Sequence, residues 1–272
     1  MSEYSELLKQ AKKEINLCIT IWKNLLIQNY AEVIEYAYTK GSATKQWDSC
    51  IDYVPILSDV DIHIKIHDHS KFFDDETSFY EAVSLPELYE NKYIEMNPDY
   101  LHIPRIQIIV INRIIELVDF VYPREHEIIS LIGKPILLEN PPIEKIKKHD
   151  LQNLLTLKEF LPTLSLSMID RTGLELWTVI RRMNWKISPA PIRLLSQIHE
   201  DPLSLWALNR TKIVEELEKQ KFHKIAEIYT EYYNQGWVAF RENFSNSHTL
   251  RKLISLGFEV LQLCLKESKK FV

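Results

Sequence analysis

Glycine is scarce in this chain, which has only five glycines among 272 residues. Dinucleotide-binding loops and Walker-type phosphate loops both need clustered glycines, because the backbone must turn tightly and approach the phosphates. Both kinds of loop are therefore excluded, and the position of each glycine becomes informative. The glycines are dispersed, at Gly41, Gly133, Gly173, Gly236 and Gly257.

Cysteine and long apolar runs are also lacking. The three cysteines, Cys18, Cys50 and Cys264, lie far apart and form no CxxC pair, which argues against a zinc site or a disulfide framework. No apolar run approaches the roughly 20 residues that cross a bilayer. Residues 1–6 mix acids and hydroxyls where a signal peptide has basic and apolar residues. The composition predicts a soluble, cytoplasmic protein with no membrane partner.

Charge and hydrophobicity limit the possible binding partners and the number of domains. The formal net charge of -5 argues against broad electrostatic affinity for nucleic acid but leaves room for a local basic patch. Hydrophobic residues make up 46% of the chain, enough to build the core of one large domain or two ordinary ones.

The first half of the chain alternates helical and strand patterns. Apolar residues recur at helical spacing from Leu7 to Leu26, and residues 76–93 also predict a helix. Residues 33–38 predict a strand or a passage from helix to strand. Apolar residues alternate strictly over residues 59–66, which predicts a second strand with one buried face. Residues 105–111 predict a third, well-buried strand.

The sequence pattern predicts helices over almost all of the second half of the chain. Gly133 to Pro142 is rich in glycine and proline, which is typical of a boundary. Beyond it, apolar stripes at helical spacing run through residues 213–233 and 250–265. We therefore predict an α+β protein, with a small mixed-sheet domain over residues 1–142 and an all-helical bundle domain over residues 143–272.

Asp59 and Asp61 are the first candidates for chemistry. At positions i and i+2 of a strand their carboxylates project side by side. Such a pair suits Mg²⁺ or Mn²⁺, since these cations prefer oxygen ligands and two of them can share carboxylates about 3.5–4 Å apart. Taken alone, the triplet also fits an ordinary solvated strand face.

Gly41 and Ser42 supply the second half of a site. Glycine lets the backbone approach a phosphate closely, and the serine hydroxyl can donate to it. If residues 43–47 open a helix, its free N–H groups add an anion site. Lys45 would then either contact a phosphate as a point charge or remain solvated. With carboxylates on the next strand, both halves of a metal–triphosphate site occur in order.

These motifs resemble those of the nucleotidyltransferase superfamily, which includes DNA polymerase beta, aminoglycoside nucleotidyltransferases and minimal nucleotidyltransferases. The resemblance rests on Gly41-Ser42 followed by Asp59-Val60-Asp61 and Ile62-His63-Ile64, and covers residues 30–115. It implies that the mixed-sheet domain is a nucleotidyltransferase domain. In that domain Gly41 and Ser42 would hold the triphosphate, and Asp59 and Asp61 would bind metal and be catalytic.

Two features depart from the family pattern. Residues 47–55 form an apparent insertion, for which we expect a role at the rim of a substrate site. The family also places a third carboxylate on a later strand, where it helps the attacking hydroxyl lose its proton. The matching position here is Gln107. Either another acid replaces it or the chemistry is absent. The candidate replacements are Glu116, Asp119, Asp48 and Asp52.

Other polar residues have two interpretations each. His63 either orients a carboxylate or phosphate or is an exposed strand residue. Arg241 and His248 have a spacing seen in helical HEPN ribonucleases, although that spacing is loose. An interleaved set of cations and aromatics either stacks a base or packs inward. This set comprises Trp177, Arg181, Arg182, Trp185 and Lys186.

The expected function is Mg²⁺-dependent transfer of a nucleoside monophosphate from a nucleoside triphosphate to a hydroxyl, with release of pyrophosphate. The acceptor is unknown and is a small molecule, a protein or an RNA. One alternative is a catalytically silent nucleotide-binding or regulatory module of the same fold. Another is a toxin–antitoxin-type interaction protein whose helical half carries the activity. The sequence leaves open which nucleotide is used and whether the chain forms a homodimer.

Overall fold

The computed structural model describes residues 3–67, 71–117, 120–136 and 139–272. The chain is α+β, with a four-stranded mixed sheet. It divides into two compact units. The first contains the chain up to Lys45 and Ser58–Asn140, and the second contains Gln46–Leu57 and Pro141–Val272.

The first unit contains the sheet and two long helices. Residues in the predicted helices and the first two predicted strands adopt these structures, so those predictions are confirmed. In chain order, the elements are α1 (Glu3–Tyr30), β1 (Ile34–Lys40), β2 (Val60–Ile66), α2 (Phe79–Met96), β3 (Ile106–Val110) and β4 (Ile129–Ile132).

The sheet has the strand order β3-β2-β1-β4. Strand β1 is antiparallel to both β2 and β4, whereas β2 and β3 are parallel. Val60, Ile62 and Ile64 of β2 are completely buried, as their strict alternation predicts. On the helices of this unit, Trp22 of α1 contacts Tyr89 of α2, with ring centroids 5.4 Å apart.

Strands β3 and β4 differ from the sequence prediction. All five residues of β3 are half-buried, so the prediction of a well-buried strand is wrong. The reason is its position, since β3 lies at an edge of the sheet and β2 carries the central apolar positions. Strand β4 was missed because four residues are too short to show a period.

A buried polar contact fixes the segment that leads into β3. The carboxylate of Glu14, on α1, lies 2.7 Å from Nδ1 of His102, and both side chains are 2% exposed. The backbone N–H groups of Leu101 and His102 also donate to this carboxylate. Since burying a carboxylate is costly unless it is hydrogen-bonded, these bonds hold the approach to β3 against α1.

The second unit is built from eight α-helices in the part of it that the structure describes. The predicted apolar stripes fall on α8, α9 and α10, where residues such as Ile213, Tyr229 and Leu261 are buried. The helices are α3 (Ile143–Leu155), α4 (Leu157–Met168), α5 (Glu175–Ile187), α6 (Ala190–Ser196), α7 (Pro202–Ala207), α8 (Arg210–Lys219), α9 (His223–Arg241) and α10 (Ser247–Ser268).

Residues 46–57, which contain the apparent insertion, pack within the second unit. The buried carboxylate of Asp52 accepts hydrogen bonds from the backbone N–H and the hydroxyl of Thr211, at 2.8 and 2.9 Å. Trp237 Nε1 donates to the carbonyl of Cys50 at 2.7 Å. The predicted boundary after residue 142 lies close to the break after Asn140, but the predicted first domain had included this segment. A role at a substrate rim stays a prediction.

No helix in the described ranges is both long and apolar enough to cross a bilayer.

Candidate functional site

The pairing of the central strands assembles the candidate site around Asp61. In the antiparallel pairing of β1 with β2, Lys40 lies opposite Asp61. In the parallel pairing of β2 with β3, Gln107 lies beside Asp61. Because neighbouring strands are about 4.8 Å apart, the carboxylate of Asp61 is flanked by a cation on one side and an amide on the other.

Gly41 brings the Gly41-Ser42 motif against Asp61 of the Asp59-Val60-Asp61 motif. Its φ is +91°, a conformation that residues with a side chain rarely adopt. A Cβ at this position would lie 2.7 Å from Oδ2 of Asp61. The backbone at Gly41 therefore fits against the carboxylate only because glycine has no side chain. The structure thus brings together two of the residues that the sequence predicts for the site.

The helix considered for residues 43–47 does not form, and these residues make a turn followed by an irregular segment. The backbone makes a single turn, in which the N–H of Thr44 donates to the carbonyl of Gly41 at 3.2 Å. Lys12, on α1, donates from Nζ to the carbonyls of Ala43 and Lys45, at 3.0 and 2.8 Å. These two contacts hold the turn against α1. The helix N-terminus that was expected to bind an anion is therefore not formed.

The turn after Gly41 is held from a second side as well. The hydroxyl of Thr44 donates to the carbonyl of Gly41 at 3.1 Å and lies 3.3 Å from the carbonyl of Glu127. Lys45 ends this turn, and its carbonyl is one of the two that Lys12 binds. A contact between the Lys45 ammonium and a phosphate stays a prediction.

Asp59 forms an ion pair that sequence reasoning missed. Nη2 of Arg105 donates to Oδ2 of Asp59, and the two side chains are 23% and 19% exposed. The signal was present in the sequence. Arg105 precedes the third strand as Asp59 precedes the second, and parallel strands in register place such residues side by side.

The carboxylate of Asp61 lies in an unusual electrostatic environment. Burial raises its pKa to about 7, and the charge of Asp59 acts in the same direction, whereas Lys40 and Arg105 act to lower it. No donor to this carboxylate is present in the part of the chain that the structure describes. Asp61 is half-buried, and a carboxylate that is partly removed from water without a donor is poorly stabilised when ionised, so a bound cation would stabilise it.

Lys40 carries the complementary charge. Burial lowers the pKa of its ammonium, and the carboxylates of Asp61 and Glu127 oppose that shift. Glu127 precedes β4 and was not predicted to belong to the site. It was missed because the short strand β4, which brings it beside β1, was itself missed.

A third acidic ligand is not evident. Among the described residues, no group of three acidic, histidine or cysteine side chains is arranged to hold a metal ion. Glu116 is exposed on the segment after β3, and Asp119 lies outside the described residues. Asp48 accepts hydrogen bonds from Gln46 and Asn209 within the second unit, both at 2.9 Å. Like Asp52, it is engaged in that unit.

His63 is buried, so the interpretation of an exposed strand residue is wrong. It is 6% exposed, and its Nδ1 lies 3.1 Å from the hydroxyl of Tyr38 on β1. Burial lowers the pKa of His63 to about 3, and the charge of Lys40 contributes in the same direction. The imidazole is therefore neutral. The alternation of β2 did not reveal that tyrosines of β1 cover this face of the sheet.

The cations and aromatics of α5 are divided between packing and exposure. Arg182 and Lys186 lie over the ring of Phe160, at 5.5 and 5.0 Å from its centroid. Trp177 packs against Phe244, whereas Trp185 is 60% exposed. Contact of these residues with a nucleotide or acceptor stays a prediction.

The second candidate pair of this unit lies at the junction of two helices. Arg241 ends α9 and His248 lies near the start of α10, and both are exposed. Ribonuclease chemistry at this pair stays a prediction.

Comparisons with protein-family models, curated proteins and solved structures found no match for this chain.

Gly41→Ala tests the close approach to Asp61. We expect a loss of about 2 kcal/mol or more in the free energy of unfolding, since the variant combines a strained backbone with a clash. The matched control is Gly173→Ala, which also has a positive φ, of +52°, but meets nothing within 4 Å. Its expected loss is about 1 kcal/mol. Urea denaturation measures both, and equal losses would contradict the proposed packing.

The raised pKa of Asp61 predicts a pH-dependent stability. Between its ordinary value of 3.8 and its folded value of about 7, the folded protein keeps a proton that the unfolded chain releases. The contribution of Asp61 to stability therefore falls as the pH rises through this window.

Asp61→Asn removes this contribution. The variant should match wild type near pH 4 and exceed it by roughly 1–3 kcal/mol near pH 8. Urea denaturation at both pH values checks this, with the exposed Asp99→Asn as the control. A variant that is no more stable than wild type at the higher pH would show that Asp61 is not destabilised by its surroundings.

Proposed function

We propose that this chain binds a complex of Mg²⁺ and a nucleoside triphosphate, and transfers the nucleoside monophosphate to a hydroxyl of an acceptor with release of pyrophosphate. The first unit would be its nucleotidyltransferase domain. The observation that carries the proposal is the contact of the Gly41 backbone with the Asp61 carboxylate. It supports the proposal because it brings Gly41, a candidate for phosphate binding, against Asp61, a candidate for metal binding.

The side chains present are compatible with a divalent cation. The Asp61 carboxylate is buried enough to have a raised pKa and has no donor among the described residues, so a cation would satisfy it. Asp59 and Asp61 would be the ligands from the protein. A bound Mg²⁺ would neutralise phosphate charge and lower the pKa of the attacking hydroxyl.

The remaining residues have roles that do not depend on the cation. Gly41 allows close approach of the backbone to a phosphate, and Ser42 carries a hydroxyl that can donate to it. Lys40 supplies a positive charge opposite Asp61. Lys12 and Thr44 hold the turn in one conformation, which lowers the entropy cost of binding a phosphate there.

Label transfer tests this proposal. Wild-type protein incubated with Mg²⁺, cell extract and each of the four α-labelled nucleoside triphosphates should label an acceptor, and Asp61→Asn should reduce the label by about a hundredfold or more. The exposed Asp99→Asn should retain it. Equal labelling by wild type and Asp61→Asn would refute the proposal. The labelled species would then identify the acceptor as a small molecule, a protein or an RNA.

A second candidate is a nucleotide-binding module of the same type without catalysis. Gln107 favours it, because this amide lies beside Asp61 in register and cannot accept a proton as a carboxylate would.

Gln107→Glu distinguishes the two candidates. For a silent module, calorimetry should detect nucleotide binding by wild type without transfer, and the variant should gain transfer by about tenfold or more over the background. For a working enzyme, wild type already transfers label. Gln28→Glu, an exposed change on α1, is the control and should alter neither binding nor transfer. A Gln107→Glu variant that binds the nucleotide but transfers no label would contradict a role for the missing acid.

A further inference from the structure

Fixed positive charges already occupy part of the candidate metal site. Asp59 is paired with Arg105, and Asp61 lies opposite Lys40. An arginine guanidinium carries a positive charge in proteins. A divalent cation that approached Asp59 would therefore meet both a neutralised carboxylate and a permanent positive charge.

Asp59 and Asp61 differ in their readiness to bind a cation. One oxygen of Asp59 already accepts a charge-assisted hydrogen bond from Arg105, the strong type of hydrogen bond. The Asp61 carboxylate has no such donor in the described residues, and its burial leaves it poorly solvated. Of the two, Asp61 is the open ligand.

The supply of ligands also limits the number of cations. Two-metal sites share carboxylates between ions about 3.5–4 Å apart. The residues that the structure describes provide no third acid, histidine or cysteine to complete such a group. Gln107, which lies beside Asp61, has no negative charge to offset a second divalent ion.

Arg105 retains unused capacity for hydrogen bonds. Its Nε is buried and has no hydrogen-bond partner, while Nη2 is engaged with Asp59. A buried, unpaired donor is costly, and the planar guanidinium fork suits a phosphate. The side chain is 23% exposed, so a phosphate would bind at the accessible part of this fork, whereas the Nε atom itself is closed to solvent.

We propose that the site binds a single divalent cation, on Asp61, and that Arg105 is the fixed positive charge that takes the place of a second cation and binds a phosphate oxygen of the nucleotide. This inference rests on the proposed function and narrows it in two ways, since it limits the cations to one and makes Asp59 the partner of Arg105 instead of a second metal ligand. It makes Arg105 a substrate-binding residue.

Counting bound Mn²⁺ tests the inference without any turnover. The full chain is saturated with α,β-methylene analogues of the four nucleoside triphosphates in turn, and electron paramagnetic resonance counts the Mn²⁺ bound per chain. Wild type should bind one ion with the analogue that it accepts. Arg105→Gln should bind the analogue about tenfold more weakly or worse and should admit a second ion.

Two further variants guard against a simple folding defect. Arg105→Lys keeps the charge and should still bind one ion, although its affinity for the analogue should fall because the fork is lost. Arg113→Gln, an exposed arginine of the same unit, should behave as wild type. Circular dichroism confirms that each variant is folded.

The outcomes separate this inference from the proposed function. Two Mn²⁺ ions in the wild-type complex would overturn the inference and leave nucleotide binding intact. An affinity for the analogue that is unchanged in Arg105→Gln would also overturn it. Failure of wild type to bind any of the four analogues would overturn the proposed function as well.

Discussion

The antiparallel pairing of β1 with β2 is the constraint on which the rest of the site depends. It sets Lys40 opposite Asp61 and ends β1 where the carboxylate of Asp61 projects. The next residue, Gly41, lies so close to that carboxylate that a Cβ on it would be 2.7 Å from Oδ2 of Asp61. Its φ is also positive, so only glycine occupies this position without strain. Lys12 from α1 and the hydroxyl of Thr44 then fix the turn that follows. A shift of one residue in this pairing would separate every one of these groups.

The charges around this pairing are arranged unfavourably for stability. Asp61 is held where burial and the charge of Asp59 raise its pKa. Arg105 leaves its buried Nε unpaired. Each of these arrangements costs folding free energy, and a cation bound to Asp61 would relieve the first of them. Unfavourable polar arrangements of this kind are common at functional sites, where a ligand offsets them. The buried pair of Glu14 and His102 shows the opposite case, because the Glu14 carboxylate accepts hydrogen bonds from Leu101 and His102.

Much of the fold could be predicted from the sequence, because long periodic segments carry their own signal. Helix α1 and strand β2 follow directly from apolar residues at helical and alternating spacing. The failures have physical causes that no local pattern contains. The segment after Ser42 forms a turn whose carbonyls bind a distant lysine on α1, His63 is buried beside a tyrosine of the neighbouring strand, and β4 is too short to show a period. Residues 46–57 pack with distant helices, which composition alone does not reveal.

The candidate site was predictable in part for the same reason. Gly41 and Asp61 belong to local motifs, so the sequence could suggest them. Arg105 and Lys40 belong to the site only through strand register, and register needs the structure or a correct topology. The absence of a third acid at Gln107 was visible in the sequence, but its position beside Asp61 gives that absence its chemical meaning.

The central claim is that Gly41-Ser42 and Asp61 form one site for a metal and a triphosphate. The most direct test is a crystal structure of the chain with Mn²⁺ and a non-hydrolysable nucleoside triphosphate, using anomalous scattering to locate the metal. The account predicts a Mn²⁺ peak in contact with Asp61 and the triphosphate against the backbone at Gly41 and Ser42. A nucleotide bound elsewhere on the chain, with no Mn²⁺ at Asp61, would contradict it.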